Sequence, residues 1–144
     1  MASQESTRSP QPTLWAVSDL HTGHFGAKPV VESLHPFSAQ DWLIIAGDVA
    51  ERTDDIRWAL DLLRSRFAKV IWVPGNHELW TNGQDPIQLF GRARYDWLVN
   101  MCDQLDIITP EHPYPVWTHP DGAVTIVPMF LLYDYTFLPA SSSC

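Results

Sequence analysis

"WLIIAGDVAERTDDIRWALDLLRSRFAKVIWVPGNHE", residues 42–78, sets two apolar runs on either side of a helical pattern, and each run stops abruptly in a polar cluster. Trp42 to Ala46 and Val70 to Val73 are short and continuous, the second rich in β-branched and aromatic residues. Runs of this kind suit strands covered on both faces, as in parallel sheets. Between them Ile56, Ala59, Leu60, Leu63 and Phe67 recur at helical spacing. Thr53 stands at the expected N-cap, Asp54 and Asp55 fall in the first turn, and Arg64, Arg66 and Lys69 crowd the end, as the helix dipole favours. The stretch therefore predicts a strand-helix-strand unit with a right-handed crossover. Thr13 to Val17 adds a further apolar run upstream, so the fold class expected is α/β, built on βαβ units.

Downstream, Asp85-Pro86 is expected to open a second helix, with Ile87, Phe90, Leu98, Met101 and Leu105 as its apolar face. Strand-like pieces follow at 106–109, 116–118 and 124–129, separated by proline-rich turns. Residues 1–12 are polar and Pro/Ser-rich with no apolar core, and read as a flexible leader, not a signal peptide. Residues 13–138 form the expected domain and 139–144 a loose tail. With 144 residues, 45% of them hydrophobic and 18% charged, the chain has the balance of one globular domain. A formal charge of −8 disfavours nucleic-acid backbones and anionic surfaces, and no run reaches transmembrane length, so neither partner is expected. Cys102 and Cys144 make neither a disulfide framework nor a thiolate metal site, and a reducing cytoplasm is the expected setting.

The polar clusters are "SDLH" at 18–21, "AGDV" at 46–49 and "PGNHE" at 74–78, one after each strand. Carboxyl ends of parallel strands line the ligand crevice of open α/β sheets, so these clusters should converge. Convergence gathers Asp19, Asp48, His21, His77 and Asn76. Two carboxylates about 4 Å apart repel by roughly 4 kcal/mol at an effective dielectric near about 20, which calls for protons or a cation between them. Oxygen and nitrogen donors without thiolates suit Mn, Fe, Zn, Co or Mg. Each of these residues alone is an ordinary turn or cap residue; it is their joint placement at strand ends that argues for a site. Glu78 reads either as a supporting carboxylate or as a surface one, His24 as a residue of the site mouth or a loop histidine, and Trp80 as a pocket wall or as packing. His112 and His119, each before a proline, read as loop, and Tyr133, Asp134 and Tyr135 are weak candidates to approach the site.

In order and spacing, Asp19-Leu20-His21, Gly47-Asp48 and Gly75-Asn76-His77-Glu78 resemble the D-x-H, G-D and G-N-H-[DE] blocks of the calcineurin-like metallophosphoesterase superfamily. "VSDLHTGH", "GDVAERTDDIRWAL" and "FGRARYDWLVNMCD" further resemble an actinobacterial branch that includes a hydrolase removing 4′-phosphopantetheine from acyl carrier protein. The resemblance implies a four-layer α/β/β/α sandwich with a mixed sheet, of which this chain is the N-terminal half. It implies two divalent metal ions (Mn, Fe, Zn or similar): Asp19 and His21 on the first, Asp48 bridging, and Asn76 on the second. It also implies attack on phosphorus by a two-metal-activated hydroxide, with His77 as the catalytic donor to the leaving oxygen. The substrate class is then a phosphomonoester or phosphodiester, with acyl carrier protein a candidate partner.

The later histidine of the family and its G-H-x-H block do not occur in this sequence. One ion thus keeps Asp19, His21 and Asp48 and the other only Asp48 and Asn76, and a half sandwich leaves sheet surface uncovered, so self-association is expected. The alternative reading is a non-catalytic or partner-dependent metal-binding fragment. Chemistry through an aspartyl phosphate is disfavoured, because it wants a second carboxylate where His21 stands.

Overall fold

A computed structural model describes residues 11–131. The chain runs β1 (Leu14–Val17), α1 (Ala27–Ser33), β2 (Trp42–Ala46), α2 (Thr53–Arg66), β3 (Lys69–Val73), a 3-10 turn (His77–Leu79), α3 (Gly91–Gln104), β4 (Val116–His119) and β5 (Gly122–Thr125). The strands β1, β2 and β3 lie side by side in that order and are parallel, with Leu14 opposite Trp42 and Trp42 opposite Lys69. Ile108 extends the sheet beside β3 through a parallel bridge to Ile71. Antiparallel pairing appears only in the separate β4–β5 hairpin among the described residues, so the sheet expected to be mixed is wholly parallel there. The leader through residue 10, the tail at 139–144, and Tyr133, Asp134, Tyr135 and Cys144 lie outside the described residues.

The helical stripe of α2 does what its spacing predicts: Ile56, Ala59, Leu60 and Leu63 are fully buried, against Leu43 and Ile45 of β2, Val70 and Trp72 of β3, Val31 of α1 and Leu98 and Met101 of α3. Truncating a core leucine such as Leu60 to alanine typically costs about 2–5 kcal/mol. The other face of the sheet is less well covered. Ala16, Ile44 and Ile71 are in register across it, and of these Ile71 is buried, Ile44 half-buried and Ala16 exposed. Burial on both faces therefore holds for β3 but only in part for β1 and β2.

Two local expectations need correction, and one helix is unforeseen. Thr53 is not the N-cap of α2: Arg52 holds that position without a side-chain bond, and both the N–H and the hydroxyl of Thr53 donate to the Asp85 carboxylate at 2.9 and 2.7 Å. A remote carboxylate thus takes over the unpaired N–H at the helix start. Asp85-Pro86 does not open a helix either, because Asp85 is committed to Thr53, to its own Ile87 N–H and to Arg94, and α3 begins only at Gly91. Ile87 and Phe90 consequently fall outside the helix, while Leu98 and Met101 line its buried face as expected. The short helix α1 has no sequence counterpart above; it follows left-handed Gly26 and buries only Val31, too little for a periodic signal.

Asp41 and Asp85 are both buried. Burial alone raises a carboxyl pKa, but Asp41 accepts from Trp15 Nε1 and the N–H groups of Thr13, Phe37 and Ser38, and Asp85 from Thr53, Ile87 and Arg94. These bonds outweigh burial and hold both carboxyls below the ordinary value of 3.8. Groups lowered on folding stabilise the fold above the unfolded pKa and lose that contribution as pH falls through the folded value. Urea midpoints should therefore drop as the pH is taken below 3.8, and Asp41→Asn should flatten that acid limb; an unchanged limb would count against the assignment.

Candidate metal centre

The loops after the three parallel strands do meet. Beyond β1 and β2 the backbone ladder continues, with Asp19 N–H donating to Gly47 O at 3.1 Å, His21 N–H to Asp48 O at 3.1 Å and Thr22 N–H to Val49 O at 2.8 Å. This run carries Asp19, His21 and Asp48 at positive φ, at 55°, 42° and 55°. Left-handed backbone is strained for residues with a Cβ, least so for Asp, and concentrates at functional sites. Two glycines make the approach feasible. A Cβ on Gly47, itself at φ 84°, would lie 2.7 Å from Gly75 N, and one on Gly75 would lie 2.1 Å from Asp48 Oδ1.

Below this crossing lies Glu78, with no exposed surface. Its carboxylate accepts from Asp48 N–H at 3.1 Å, Val49 N–H at 2.6 Å and Gly75 N–H at 2.8 Å, joining the second polar cluster to the third. Burial pushes its pKa up despite these bonds. Glu78 is therefore not the surface carboxylate of the second reading above; it is buried and bonded to the backbone of both loops.

His21, Asp48 and His77 each present a donor atom within 4.8 Å of the others. Three ligands about 2.2 Å from one ion sit roughly 3.1–4.4 Å apart, so the set must draw together by up to about 1 Å to hold a cation. Asp19 Oδ1 lies 3.9 Å from His21 Nε2, too far for a hydrogen bond but compatible with a shared ion. Asn76 occupies the cap position of the 3-10 turn yet makes no capping bond with its side chain, which leaves the amide uncommitted to the turn. The donor set is oxygen and nitrogen only, as hard or borderline divalent ions require.

His77, the third member of this cluster, is held from several sides. Its N–H donates to Asp48 Oδ1 at 3.1 Å, its ring packs 4.8 Å from that of His21 and 4.0 Å from that of Trp80, and Nδ1 faces Glu51 Oε1 at 3.2 Å. Trp80 is half exposed against that ring. His24 is exposed and meets the His21 ring edge-on at 5.7 Å. His21, His24, Glu51, Arg52, Asp55 and Asn82 line a cleft of about 340 Å³ beside the cluster. A larger cleft of about 440 Å³, lined by Leu79, Arg92, Tyr95 and Phe130, contains none of the cluster residues. His112 is bound locally by Thr109 and Asp103, and His119 closes β4 and pairs with Asp121.

Sequence reasoning missed Glu51, Asp85 and Arg94. Glu51 is a carboxylate three residues past Asp48, and Arg94 falls on the helical face of Leu98 and Met101, so a buried charge was readable there from spacing.

The model of the family described as calcineurin-like phosphoesterase matches residues 12–131. The chain is similar to the acyl-carrier-protein phosphodiesterase PptH of Mycobacterium tuberculosis, 71% identical over 141 residues, a match covering 98% of this chain and 44% of that protein. It also resembles the crystal structure of the phosphopantetheinyl hydrolase PptH from Mycobacterium tuberculosis, with a TM-score of 0.88 at 73% identity over 93% of this chain and 48% of the other. The chain spans less than half the length of the relative it matches.

Proposed function

The chain belongs to the calcineurin-like phosphoesterase family, and from that premise we propose that it carries part of a divalent-metal site for hydrolysing a phosphodiester, of the kind that joins phosphopantetheine to acyl carrier protein. The observation that carries this reading is the meeting of His21, Asp48 and His77 donors within 4.8 Å at the ends of parallel strands. Asp19, His21 and Asp48, with Asn76 through its amide oxygen, would hold the divalent ions. Bound ions supply Lewis acidity toward the phosphoryl oxygens and make water acidic enough to serve as a nucleophile near neutral pH.

The protein's own groups do the rest. Glu51 at Nδ1 fixes the ring of His77, which leaves Nε2 as the nitrogen that donates a proton or hydrogen bond to the leaving oxygen. Trp80 buttresses the same ring. His24 and Arg52 wall the adjoining cleft, where a cationic guanidinium suits an anionic diester.

The test is to strip the chain with chelator and titrate Mn²⁺ while following stoichiometry and hydrolysis of bis(p-nitrophenyl) phosphate. Metal-dependent turnover supports the hydrolase. Binding without turnover supports a second reading, a non-catalytic or partner-dependent metal-binding chain. No binding by a folded chain removes both. The same proposal includes acyl carrier protein as partner, a cytoplasmic setting and self-association through the sheet face of Ala16 and Ile44. No helix among the described residues is long and apolar enough to cross a membrane.

A further inference from the structure

Arg94 of α3 is fully buried and donates in four directions: Nε to Glu78 O at 2.6 Å, Nη2 to Glu51 O at 2.6 Å and to Asp85 Oδ2 at 3.1 Å, and Nη1 to Ile87 O at 3.3 Å. Two of those carbonyls belong to residues already prominent. Glu51 meets His77 Nδ1, and Glu78 ties Gly75 to Asp48 and Val49. Asp85, which anchors the guanidinium, also holds Thr53, two residues past Glu51. One planar fork therefore spans the loop after β2 and the loop after β3. Because the guanidinium is rigid, the spacing of its N–H groups fixes the spacing of the carbonyls they hold.

We propose that Arg94 is a positioning residue: held by Asp85, it sets the separation of Glu51 from His77 through the backbone of both loops. The inference rests on the function proposed above, in which that pair serves the leaving oxygen. Lysine at this position keeps the charge and most of the stem, but its compact ammonium cannot reproduce the flat fork. A merely structural Arg94 predicts a lower melting temperature for its variants and an unaltered His77 ring in any that still fold.

The experiment is nitrogen NMR of the full chain labelled at histidine, reading the His77 ring nitrogens at one fixed pH in wild type, Glu51→Gln, Arg94→Lys and Asp85→Asn. Folding of each is checked by backbone amide dispersion. Glu51→Gln should displace the Nδ1 resonance, and Arg94→Lys should displace it in the same direction by a comparable amount, with Asp85→Asn following to a smaller extent. Folded Arg94→Lys and Asp85→Asn chains with a wild-type Nδ1 signal, beside a displaced one in Glu51→Gln, overturn the positioning role and leave the proposed function standing. No displacement in Glu51→Gln overturns the Glu51–His77 contact itself, and with it the positioning role, while the metal titration decides the proposed hydrolase separately. If Arg94→Lys does not fold, Asp85→Asn decides; collapse of both makes Arg94 a folding anchor and overturns the proposal.

Discussion

Asp48→Asn is expected to weaken Mn²⁺ binding by more than the roughly ten- to hundredfold that loss of a supporting group beside a metal costs, while leaving the fold nearly intact. The substitution is selective because of what Asp48 does in each role. Its Oδ1 accepts the His77 N–H at 3.1 Å, and an asparagine oxygen accepts the same bond. Its backbone lies at φ 55°, a conformation asparagine tolerates as well as aspartate. Only the negative charge is removed, and that charge is what helps to draw a cation to a site whose other proposed donors include the uncharged amide of Asn76. The readout is thermal melting with and without metal. A ligand at about a hundred times its Kd stabilises a fold by about 2.7 kcal/mol, so wild type should gain several degrees with Mn²⁺ and the variant almost none. An undiminished gain in Asp48→Asn would sink the assignment of Asp48 to the metal.

What could be read in the sequence follows from where the physics is local. The apolar runs of β2 and β3 and the stripe of α2 report burial directly, and the polar clusters stand out because successive strands each end in one. Parallel-strand logic then brought His21, Asp48 and His77 together before any coordinates did. Hidden from that logic were contacts made across long sequence separations by residues with an adequate local explanation. Asp85 before Pro86 looks like a helix start, yet its carboxylate serves Thr53 and Arg94. Glu78 follows His77 like any polar turn residue, yet it is fully buried beneath two loops. Thr53 looks like a cap, yet it is the group being capped. In each case the short-range rule was satisfied on paper and a tertiary hydrogen bond overrode it.

Glu78→Ala is expected to lower stability by at least roughly 3 kcal/mol, a large share of the roughly 5–15 kcal/mol that holds an ordinary domain folded. The substitution leaves the N–H groups of Asp48, Val49 and Gly75 without their acceptor. Each buried donor left unsatisfied costs about 1–3 kcal/mol, and the emptied volume adds to it. Urea melts measure the loss, and one below about 1 kcal/mol would mean that water reaches those groups and that Glu78 is not the common acceptor. Glu78→Gln keeps the size and one acceptor oxygen and should fall between the two. It also isolates a pH effect of opposite sign to that of Asp41 and Asp85. Burial raises the Glu78 pKa, so between the ordinary value of 4.5 and its folded value the native chain binds the proton more tightly than the unfolded one. The group's contribution is then full below 4.5 and is lost as pH rises through the folded pKa, because the anion must be held in a buried position. Wild type should lose part of its urea midpoint on the way up from 4.5, and Glu78→Gln should not; parallel curves for the two chains would show that this carboxyl does not titrate in that range. The opposed slopes also separate its two duties. The anion is the better acceptor for the N–H groups of Asp48, Val49 and Gly75, so burial disfavours the form of Glu78 that bonds the two loops best.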